Sequence, residues 1–354
     1  MNVEKIQERL ARRGLDAVLL LNGKNIRYAA SFPITDGAVL ITRSRAWMFT
    51  DSRYIEAARK SAAGVEVELF DAGRTLNERI KSALDEAGCE KLGAEERAVS
   101  HGRWQELEKR LGRPLVPAGE ILSELRASKQ EYEVEAIVAA QRIAESAFEE
   151  VLGFIRPGVT EREIAAELTY RMMRLGGEGN SFDPICVTGA KTSMPHGEPG
   201  DEAVKYGDFV TMDFGCIKNG YCSDMTRTVA VGRADKEMSR VYDTVLRAQL
   251  AGIEKARAGA TGAEIHNAAA RVIEAAGCGE YFGHSFGHSL GLDIHESPGA
   301  SPSNKKPMPD GAVISAEPGI YIPGKFGVRI EDMLYLTPQG NVNLTKAPKQ
   351  LIIL

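Results

Sequence analysis

The sequence contains no apolar run that approaches the roughly 20 residues needed to cross a bilayer. The apolar segment Val18 to Leu21 is far too short for that purpose. Residues 1–13 alternate charged and apolar groups as an amphipathic helix does, and they lack the apolar core of a signal peptide. We therefore expect a cytoplasmic protein that makes no contact with a membrane.

Paired cysteines, positive charge and a phosphate-binding loop are also missing. The five cysteines show no C-x-x-C spacing, which fits a reduced compartment and no disulfide framework. The formal net charge is −5, whereas nucleic-acid-binding domains usually carry a basic balance or stripe. The G-x-x-x-x-G-K-[ST] motif does not occur. These absences argue against a nucleic-acid partner and against a P-loop nucleotidase.

The length of 354 residues predicts two domains. Residues 1–125 alternate helical and strand patterns, which indicates an α/β domain with a mixed sheet. Its predicted strands are 16–21, 37–42, 46–50, 65–70, 91–95 and 114–117, and its later predicted helices are 54–63, 76–87 and 101–111. The charged stretch from Ile121 to Glu135 contains the expected boundary, so the second domain is predicted at 126–354.

Two acidic residues flank one predicted tight turn in the second domain. Asn219-Gly220 is typical of a two-residue hairpin turn, because both positions need a positive φ. If Lys218 pairs with Tyr221, then Asp213 lies opposite Thr226 and Gly215 lies opposite Asp224. Asp213 and Asp224 then share a face of the hairpin. Neighbouring carboxylates repel unless a proton or a cation lies between them, so this stretch fits either a metal site or a solvated surface hairpin.

The second domain repeats itself in sequence. Thr160 and Thr261 each begin a predicted helix with a Thr-x-x-Glu capping box, and a glycine, Gly176 or Gly277, follows at the same offset. Later, Val210-Thr-Met-Asp213-Phe-Gly215 is similar to Ile314-Ser-Ala-Glu317-Pro-Gly319, and Glu331 corresponds to Asp224. Chance similarity between amphipathic helices is the alternative explanation. A true duplication about a pseudo-twofold axis predicts four carboxylates in one place.

Histidines cluster in the same domain. The chain has six, and four of them lie in glycine-rich or turn-rich stretches: His196, His284, His288 and His295. Gly283, Gly287 and Gly291 make a helix around the last three unfavourable, so we expect a loop or irregular strand. Four acids in one cleft require cations, and a divalent pair is the usual solution. Oxygen ligands suit Mn²⁺ or Mg²⁺, and a histidine adds Co²⁺, Fe²⁺ or Zn²⁺.

These motifs resemble the M24 metallopeptidases, the family of aminopeptidase P, prolidase and methionine aminopeptidase. The similarity lies in the run from Phe209 to Val231, the stretch from Gly283 to Glu296, Glu317-Pro-Gly-Ile-Tyr321 and Val328-Arg-Ile-Glu331-Asp332. It implies an α+β pita-bread catalytic domain with an internal pseudo-twofold duplication. The front domain, including Thr50-Asp-Ser-Arg53-Tyr54, resembles the amino-terminal domain of the proline-specific members, the creatinase/prolidase type.

The resemblance also implies a ligand set and roles for the residues around it. Asp213 would chelate one ion, Asp224 and Glu331 would bridge two ions, and His288 and Glu317 would complete the second. Two divalent metals, most commonly Mn²⁺, would activate a hydroxide, and Glu317 would move the proton. His196, His284 and His295 would line the cleft, hold the substrate carbonyl and help proton transfer. Arg329 shares strand parity with Glu331 and would orient carboxylates.

The sequence departs from the common family pattern beside these residues. Relatives mostly have Thr-Gly-His-Gly around the metal histidine, whereas this chain has Phe286-Gly-His288-Ser289. Ser315-Ala316 replaces the usual Thr-Ile before Glu317. We expect these changes to leave the ligands intact and to alter the substrate pocket. Cys222 shares parity with Asp224 and is interpreted as an inert buried thiol rather than an oxidisable neighbour.

The implied activity is hydrolysis of the bond between a first residue and proline at the amino terminus of peptides. An Xaa-Pro dipeptidase that accepts only dipeptides is the nearest alternative. A metal-free amidinohydrolase of the creatinase type and a non-catalytic binding member of the fold are further alternatives. The resemblance also implies a homodimer, in which the front domain of one subunit borders the cleft of the other.

Overall fold

The computed structural model describes residues 2–354 and divides the chain into two compact units. The amino-terminal unit ends at Arg126, and the carboxyl-terminal unit is Ala127–Leu354. Within the described residues, every helix is too short or too polar to pass through a lipid bilayer.

The amino-terminal unit contains a six-stranded mixed sheet in the order β4-β3-β2-β1-β5-β6. Strand β1 pairs antiparallel with β2 and parallel with β5, so the predicted α/β unit with a mixed sheet is confirmed. The strands are β1 Ala17–Leu20, β2 Gly37–Thr42, β3 Ala46–Thr50, β4 Glu66–Leu69, β5 Leu92–Ala94 and β6 Leu115–Pro117. The helices are α1 Asn2–Arg13, α2 Gly23–Ala30, α3 Ile55–Ser61, α4 Leu76–Glu86, α5 His101–Leu111 and α6 Gly119–Ala127.

Helix α2 is the element of this unit that the sequence reading did not predict. Asn22 caps it by accepting hydrogen bonds from the backbone N–H groups of Lys24 and Asn25, and it ends at Ser31 with a left-handed φ of 55°. The helix spans only eight residues and begins with a glycine, so its propensity is weak. Burial of Ile26, Ala29 and Ala30 shows that tertiary packing stabilises it.

The carboxyl-terminal unit is α+β. Its helices are α7 Glu131–Leu152, α8 Glu161–Arg174, α9 Lys236–Lys255 and α10 Gly262–Ala275. Its strands are β7 Gly179–Asn180, β8 Ile185–Thr188, β9 Phe209–Phe214, β10 Cys216–Lys218, β11 Tyr221–Cys222, β12 Met225–Ala230, β13 Gly287–Ser289, β14 Glu296–Ala300, β15 Val313–Ala316, β16 Gly319–Ile322, β17 Phe326–Arg329, β18 Asp332–Thr337 and β19 Gly340–Asn343.

The predicted hairpin turn has the expected geometry. Asn219 and Gly220 have φ of 50° and 76°, Lys218 pairs with Tyr221, and Asp213 pairs with Thr226. The hairpin is nevertheless divided between two sheets, β11-β10-β7 and β12-β9-β8. Gly215 marks the division, because an added Cβ there would lie 1.9 Å from the backbone oxygen of Ser223. Asp213 and Asp224 therefore lie at the junction between the two sheets.

The internal duplication is visible in the fold. Residues 131–230, from α7 to β12, form the first half, and residues 236–337, from α9 to β18, form the second half. Each half places a helix pair before a three-strand core, β8-β9-β12 in the first and β13-β15-β18 in the second. Thr160 and Thr261 both form complete capping boxes, and Gly176 and Gly277 have φ of 98° and 72°. Each half also has its own buried apolar cluster, around Phe148 and Phe214 in the first and around Tyr242 and Phe286 in the second.

Candidate metal centre and active site

A cleft of about 1290 Å³ in the carboxyl-terminal unit contains all of the residues that the sequence reading assigned to the site. Both halves of the repeat supply acids to the cleft. Asp213 and Asp224 come from the first half, and Glu317 and Glu331 come from the second half. The cleft-lining residues that were predicted are His196, Asp213, Asp224, His284, His288, His295, Glu317, Arg329 and Glu331.

Three of these side chains converge most closely. Asp224, His288 and Glu331 each offer one ligand atom, and these atoms lie within 4.8 Å of one another. His288 Nε2 is 3.5 Å from Asp224 Oδ2 and 3.2 Å from Glu317 Oε1. Glu317 thus joins the group through the histidine. The side chains of Asp224 and Glu331 are almost fully buried.

Asp213 lies beside this group but faces a different partner. Its Oδ2 accepts a hydrogen bond of 2.6 Å from Arg329 Nη2, and its Oδ1 is buried with no hydrogen-bond partner among residues 2–354. A buried carboxylate oxygen without a donor is costly. A cation in the cleft would satisfy it.

Hydrogen bonds between the halves and within the second half hold the acids in position. The Glu331 N–H donates to the Thr226 carbonyl at 3.1 Å, and the Thr226 hydroxyl donates to Glu331 Oε2 at 2.7 Å. In the second half, the Ser315 hydroxyl donates to Glu317 Oε1 at 2.8 Å and accepts from the His288 N–H at 3.0 Å. The serine that replaces the usual threonine therefore retains the hydroxyl that orients a predicted ligand.

The electrostatics of the cleft favour a positively charged occupant. Burial, followed by repulsion from Glu331, Asp213 and Glu317, raises the pKa of Asp224 well above its ordinary value. Burial and the neighbouring Glu317 carboxylate likewise raise the pKa of Glu331. Burial lowers the pKa of His288, which keeps the imidazole neutral and able to act as a ligand. Four carboxylates and one neutral imidazole are a donor set that suits first-row divalent ions, so the residues fit the metal pair that the family implies.

A hydrogen-bonded chain links the cleft histidine His284 to the acids. Tyr321 Oη lies 2.9 Å from His284 Nε2 and accepts from Arg329 Nη1 at 2.8 Å, and Arg329 in turn binds Asp213. Burial raises the pKa of Tyr321 to about 12. Tyr321 is a functional candidate that the sequence did not predict.

One available signal for Tyr321 was its glycine neighbours. It pairs with Gly327 in the β16–β17 hairpin, two residues along from the Gly319–Arg329 pair. A Cβ added at Gly319 would lie 2.4 Å from the Tyr321 hydroxyl oxygen, and a Cβ added at Gly327 would lie 2.8 Å from the Tyr321 ring. Glycines at both positions therefore leave space for one large ring over the hairpin.

The remaining histidines approach the cleft from different segments. The His295 and His288 rings meet edge to face, with centroids 4.3 Å apart, and burial lowers the pKa of His295. His196 is exposed and follows Pro195, whose carbonyl accepts from Arg329 Nη1 at 3.2 Å. The region around His284 and His288 is not helical. His284 lies in a loop, and His288 lies in the short strand β13, whose register is irregular, as the glycines predicted.

The side chains of two of the unusual residues beside His288 turn away from the cleft. Phe286 is fully buried against α9, where an added Cβ at Gly252 would lie 2.2 Å from its ring. The Ser289 hydroxyl donates to the Pro298 carbonyl at 2.6 Å. Cys222 is also buried, with its sulfur 3.8 Å from the Leu292 carbonyl.

A duplicated α+β unit that gathers acids and a histidine from both halves defines the class of metal-dependent hydrolases with a pita-bread fold. The chain belongs to metallopeptidase family M24: the model of that family matches residues 135–338. The model of the creatinase/prolidase N-terminal domain matches residues 2–128. Residues 129–134 lie between the two matched regions.

Similarity to individual proteins extends along the whole chain. The peptidase YqhT of Bacillus subtilis, which carries no assigned substrate in its name, is 38% identical, and the match covers 100% of both chains. The structure of an Xaa-Pro dipeptidase from Bacillus anthracis is 40% identical, with a TM-score of 0.96 and 99% coverage of both chains. The X-Pro aminopeptidase structure from Thermotoga maritima is 35% identical, with a TM-score of 0.91 and 99% coverage of both chains.

Proposed function

We propose that this protein is a dinuclear-metal exopeptidase that hydrolyses the Xaa-Pro bond at the amino terminus of peptides. The observation that carries the proposal is the convergence of Asp213, Asp224, His288, Glu317 and Glu331 in one cleft. Relatives similar over the full length of the chain are named Xaa-Pro dipeptidase and X-Pro aminopeptidase, which supports the proline specificity.

The proposed ligands divide between two ions. Asp213 would serve one ion, His288 and Glu317 the other, and Asp224 with Glu331 both. The unpartnered Oδ1 of Asp213 and the close approach of Asp224, His288 and Glu331 support this division. Such a pair, when bound, supplies Lewis-acid polarisation of the scissile carbonyl and activation of water.

The other residues would orient the substrate and move protons. Glu317, held by the Ser315 hydroxyl, would accept the proton of the attacking water and deliver it to the leaving nitrogen. His196, His284 and His295 would contact the substrate carbonyl and stabilise the charge that develops on it. Arg329 would keep the Asp213 carboxylate in place through its 2.6 Å hydrogen bond.

Proline at the second position presents a distinct recognition problem. The Xaa-Pro bond is a tertiary amide without an N–H, and the ring fixes φ. A peptidase that holds its substrate through that N–H cannot use such a bond, so a dedicated pocket is required.

A peptide panel tests the proposal. The purified protein would be stripped with a chelator and then assayed with Mn²⁺, Co²⁺, Zn²⁺ and Fe²⁺ in turn. The substrates would be Xaa-Pro-Xaa tripeptides and matched Xaa-Ala-Xaa controls. We expect release of the first residue from the proline peptides only, with activity that is restored by metal. Equal hydrolysis of the alanine controls, or no hydrolysis of any peptide, would contradict the proposal.

An Xaa-Pro dipeptidase is the second candidate, and the similarity to the Bacillus anthracis structure of that name favours it. The same panel distinguishes the two if Xaa-Pro dipeptides are added. A dipeptidase would cleave the dipeptides and reject the tripeptides, because its cleft must be closed beyond proline. A creatinase-type amidinohydrolase would keep its activity after chelation, and a non-catalytic member would bind metal without cleaving any peptide.

We also propose Mn²⁺ as the preferred metal, a homodimer as the assembled form, and the cytoplasm as the location. The acidic donor set supports Mn²⁺, and the free, buried state of all five cysteines is compatible with a reducing compartment. Residues 1–125 would form the amino-terminal domain, and residues 126–354 would carry the catalysis. Sedimentation analysis of the purified chain would test the dimer.

A further inference from the structure

A buried lysine lies in the short segment between α6 and α7, outside the cleft. Lys129 Nζ is 3.1 Å from Glu296 Oε2, and the two side chains are only 1% and 7% exposed. Removing two charges from water is expensive, and breaking such a pair leaves an uncompensated buried charge. An ion pair at this depth therefore restrains the two backbone segments that carry Lys129 and Glu296.

Glu296 is attached to the cleft through its immediate neighbour. It follows His295 directly, and its Oε1 accepts a hydrogen bond of 3.1 Å from the Asp293 N–H. One carboxylate thus closes the turn of residues 293–296 around His295 with one oxygen and binds Lys129 with the other. His295 lies within that turn.

The other end of the same segment is tied to strand β11. The Gly291 N–H donates to the Asp293 carbonyl at 2.9 Å, and the Cys222 N–H donates to the Gly291 carbonyl at 2.8 Å. An added Cβ at Gly291 would lie 2.9 Å from Glu296 Oε1 and 3.1 Å from Lys129 Cε. The glycine gives the ion pair room to form against the backbone of the histidine segment.

Lys129 is itself held by the main chain. Its N–H donates to the Gly311 carbonyl at 2.7 Å, and a Cβ added at Gly311 would lie 3.1 Å from the Lys129 carbonyl. The ammonium also acts on a second acid, Glu133: burial raises the pKa of Glu133, and Lys129 opposes that increase. The lysine is therefore a fixed charge rather than a mobile surface group.

We propose that Lys129 is a positioning residue, which acts through Glu296 to fix the His295 ring against His288 in the cleft. The kinetic part of this inference rests on the proposed peptidase function. Neutralising the lysine would allow the segment of residues 291–296 to shift, while the predicted metal ligands would stay in place. Loss of an outer partner of a metal ligand typically costs about 10- to 100-fold in activity, and we expect a loss of the same order here.

The test is a double-mutant cycle on the metal-loaded, full-length protein. We expect Lys129→Met to lower kcat about 10- to 100-fold, with a smaller change in KM and with unchanged metal content. If Lys129 acts through His295, the Lys129→Met, His295→Ala double variant should be no slower than His295→Ala alone. Full additivity of the two losses, or an unchanged kcat in Lys129→Met, would overturn the proposal.

Two further variants separate positioning from general destabilisation. Val151→Ala removes buried volume from helix α7, which follows Lys129 in the chain, at a position away from the cleft, and it should lower the thermal midpoint without lowering kcat. Glu296→Gln removes the charge of the partner with little change in shape, so it tests the pair even if Lys129→Met does not fold. It should also lower kcat, and a Glu296→Gln variant with wild-type kcat would contradict the proposal.

A failure of the proposed function gives a different result from a failure of this inference. If the unmodified protein cleaves no peptide, the function is wrong. The pair is still tested by thermal midpoints of the metal-free Lys129→Met, Glu296→Gln and doubly substituted proteins. Coupling between the two substitutions supports the ion pair, whereas independent shifts contradict it.

Discussion

The two halves of the carboxyl-terminal unit share a scaffold and differ in chemistry. Asp213 is the penultimate residue of β9 and Glu317 directly follows the equivalent strand β15, and Asp224 and Glu331 directly precede the equivalent strands β12 and β18. Both halves thus contribute the same pair of charges at the same two positions. Internal duplication therefore explains why four carboxylates occur in the cleft at two pairs of equivalent positions.

The halves diverge at the positions around those acids. Thr188 pairs with Val210 in the first half, and Ser289 pairs with Ile314 at the equivalent place in the second. The residue before each is Val187 in one half and His288 in the other. Two residues before the second acid, the first half has Cys222 where the second has Arg329. The proposed nitrogen ligand, His288, and the buried guanidinium of Arg329 therefore belong to the second half only, which makes the charge cluster of the cleft asymmetric.

The largest effect is expected when the acid that both halves place directly before β12 or β18 is neutralised. Asp224→Asn and Glu331→Gln should each lower kcat/KM on the order of 10³-fold or more, because several kcal/mol of metal-dependent stabilisation would be lost. Metal analysis should show fewer than two ions per chain in both variants. Full metal content and rate in either one would show that its acid does not bridge the ions.

The next largest effect is expected when His288 is replaced by the residue at the equivalent position of the first half. His288→Val gives the second half the residue that the first half has at position 187. We expect activity to fall at least about 100-fold and metal binding to decrease. This loss is larger than that expected for a residue that only hydrogen-bonds to a ligand. Val187→Ala is the control, and it should keep its metal. Full metal binding by His288→Val would remove the histidine from the ligand set.

A smaller effect is expected from the tyrosine that has no counterpart in the first half, where Ile217 occupies the equivalent position. Tyr321→Phe removes the hydroxyl that joins His284 to Arg329 and leaves the ring in its glycine-lined space. Loss of a hydrogen bond to a charged group is worth about 1.5–3 kcal/mol, so activity should fall roughly 10-fold or more. The metal content should not change, and unaltered kinetics would show that this chain of hydrogen bonds has no role.

The smallest effect is expected at the first-half counterpart of Arg329. Cys222 is buried, and a buried thiol acts as a small apolar group. Cys222→Ala should therefore change kcat/KM by no more than about twofold. A large loss in this variant would show that Cys222 takes part in the site and is not an inert neighbour.

Local chemistry explains which features could be predicted from the sequence. The Asn219-Gly220 turn determined the pairing of Lys218 with Tyr221, and the period of two then brought Asp213 opposite Thr226. The capping boxes at Thr160 and Thr261 identified the starts of α8 and α10. Each of these signals lies within a few residues of the feature that it determines.

The features that were missed depend on distant parts of the chain. The division of the hairpin at Gly215 depends on the backbone of Ser223, and the burial of Phe286 depends on the absence of a side chain at Gly252 in α9. Tyr321 gains its role only when β16 and β17 pair and bring Arg329 beside it. Periodicity and turn signals contain no information on such packing.

The central claim is that two duplicated halves each lend a pair of acids to one pair of divalent ions. Anomalous diffraction from crystals of the protein grown with Mn²⁺ tests it most directly. We expect two peaks about 3.5–4 Å apart, with Asp224 and Glu331 touching both and Asp213, His288 and Glu317 touching one each. No peak in the cleft, or one ion held by residues of a single half, would contradict the account.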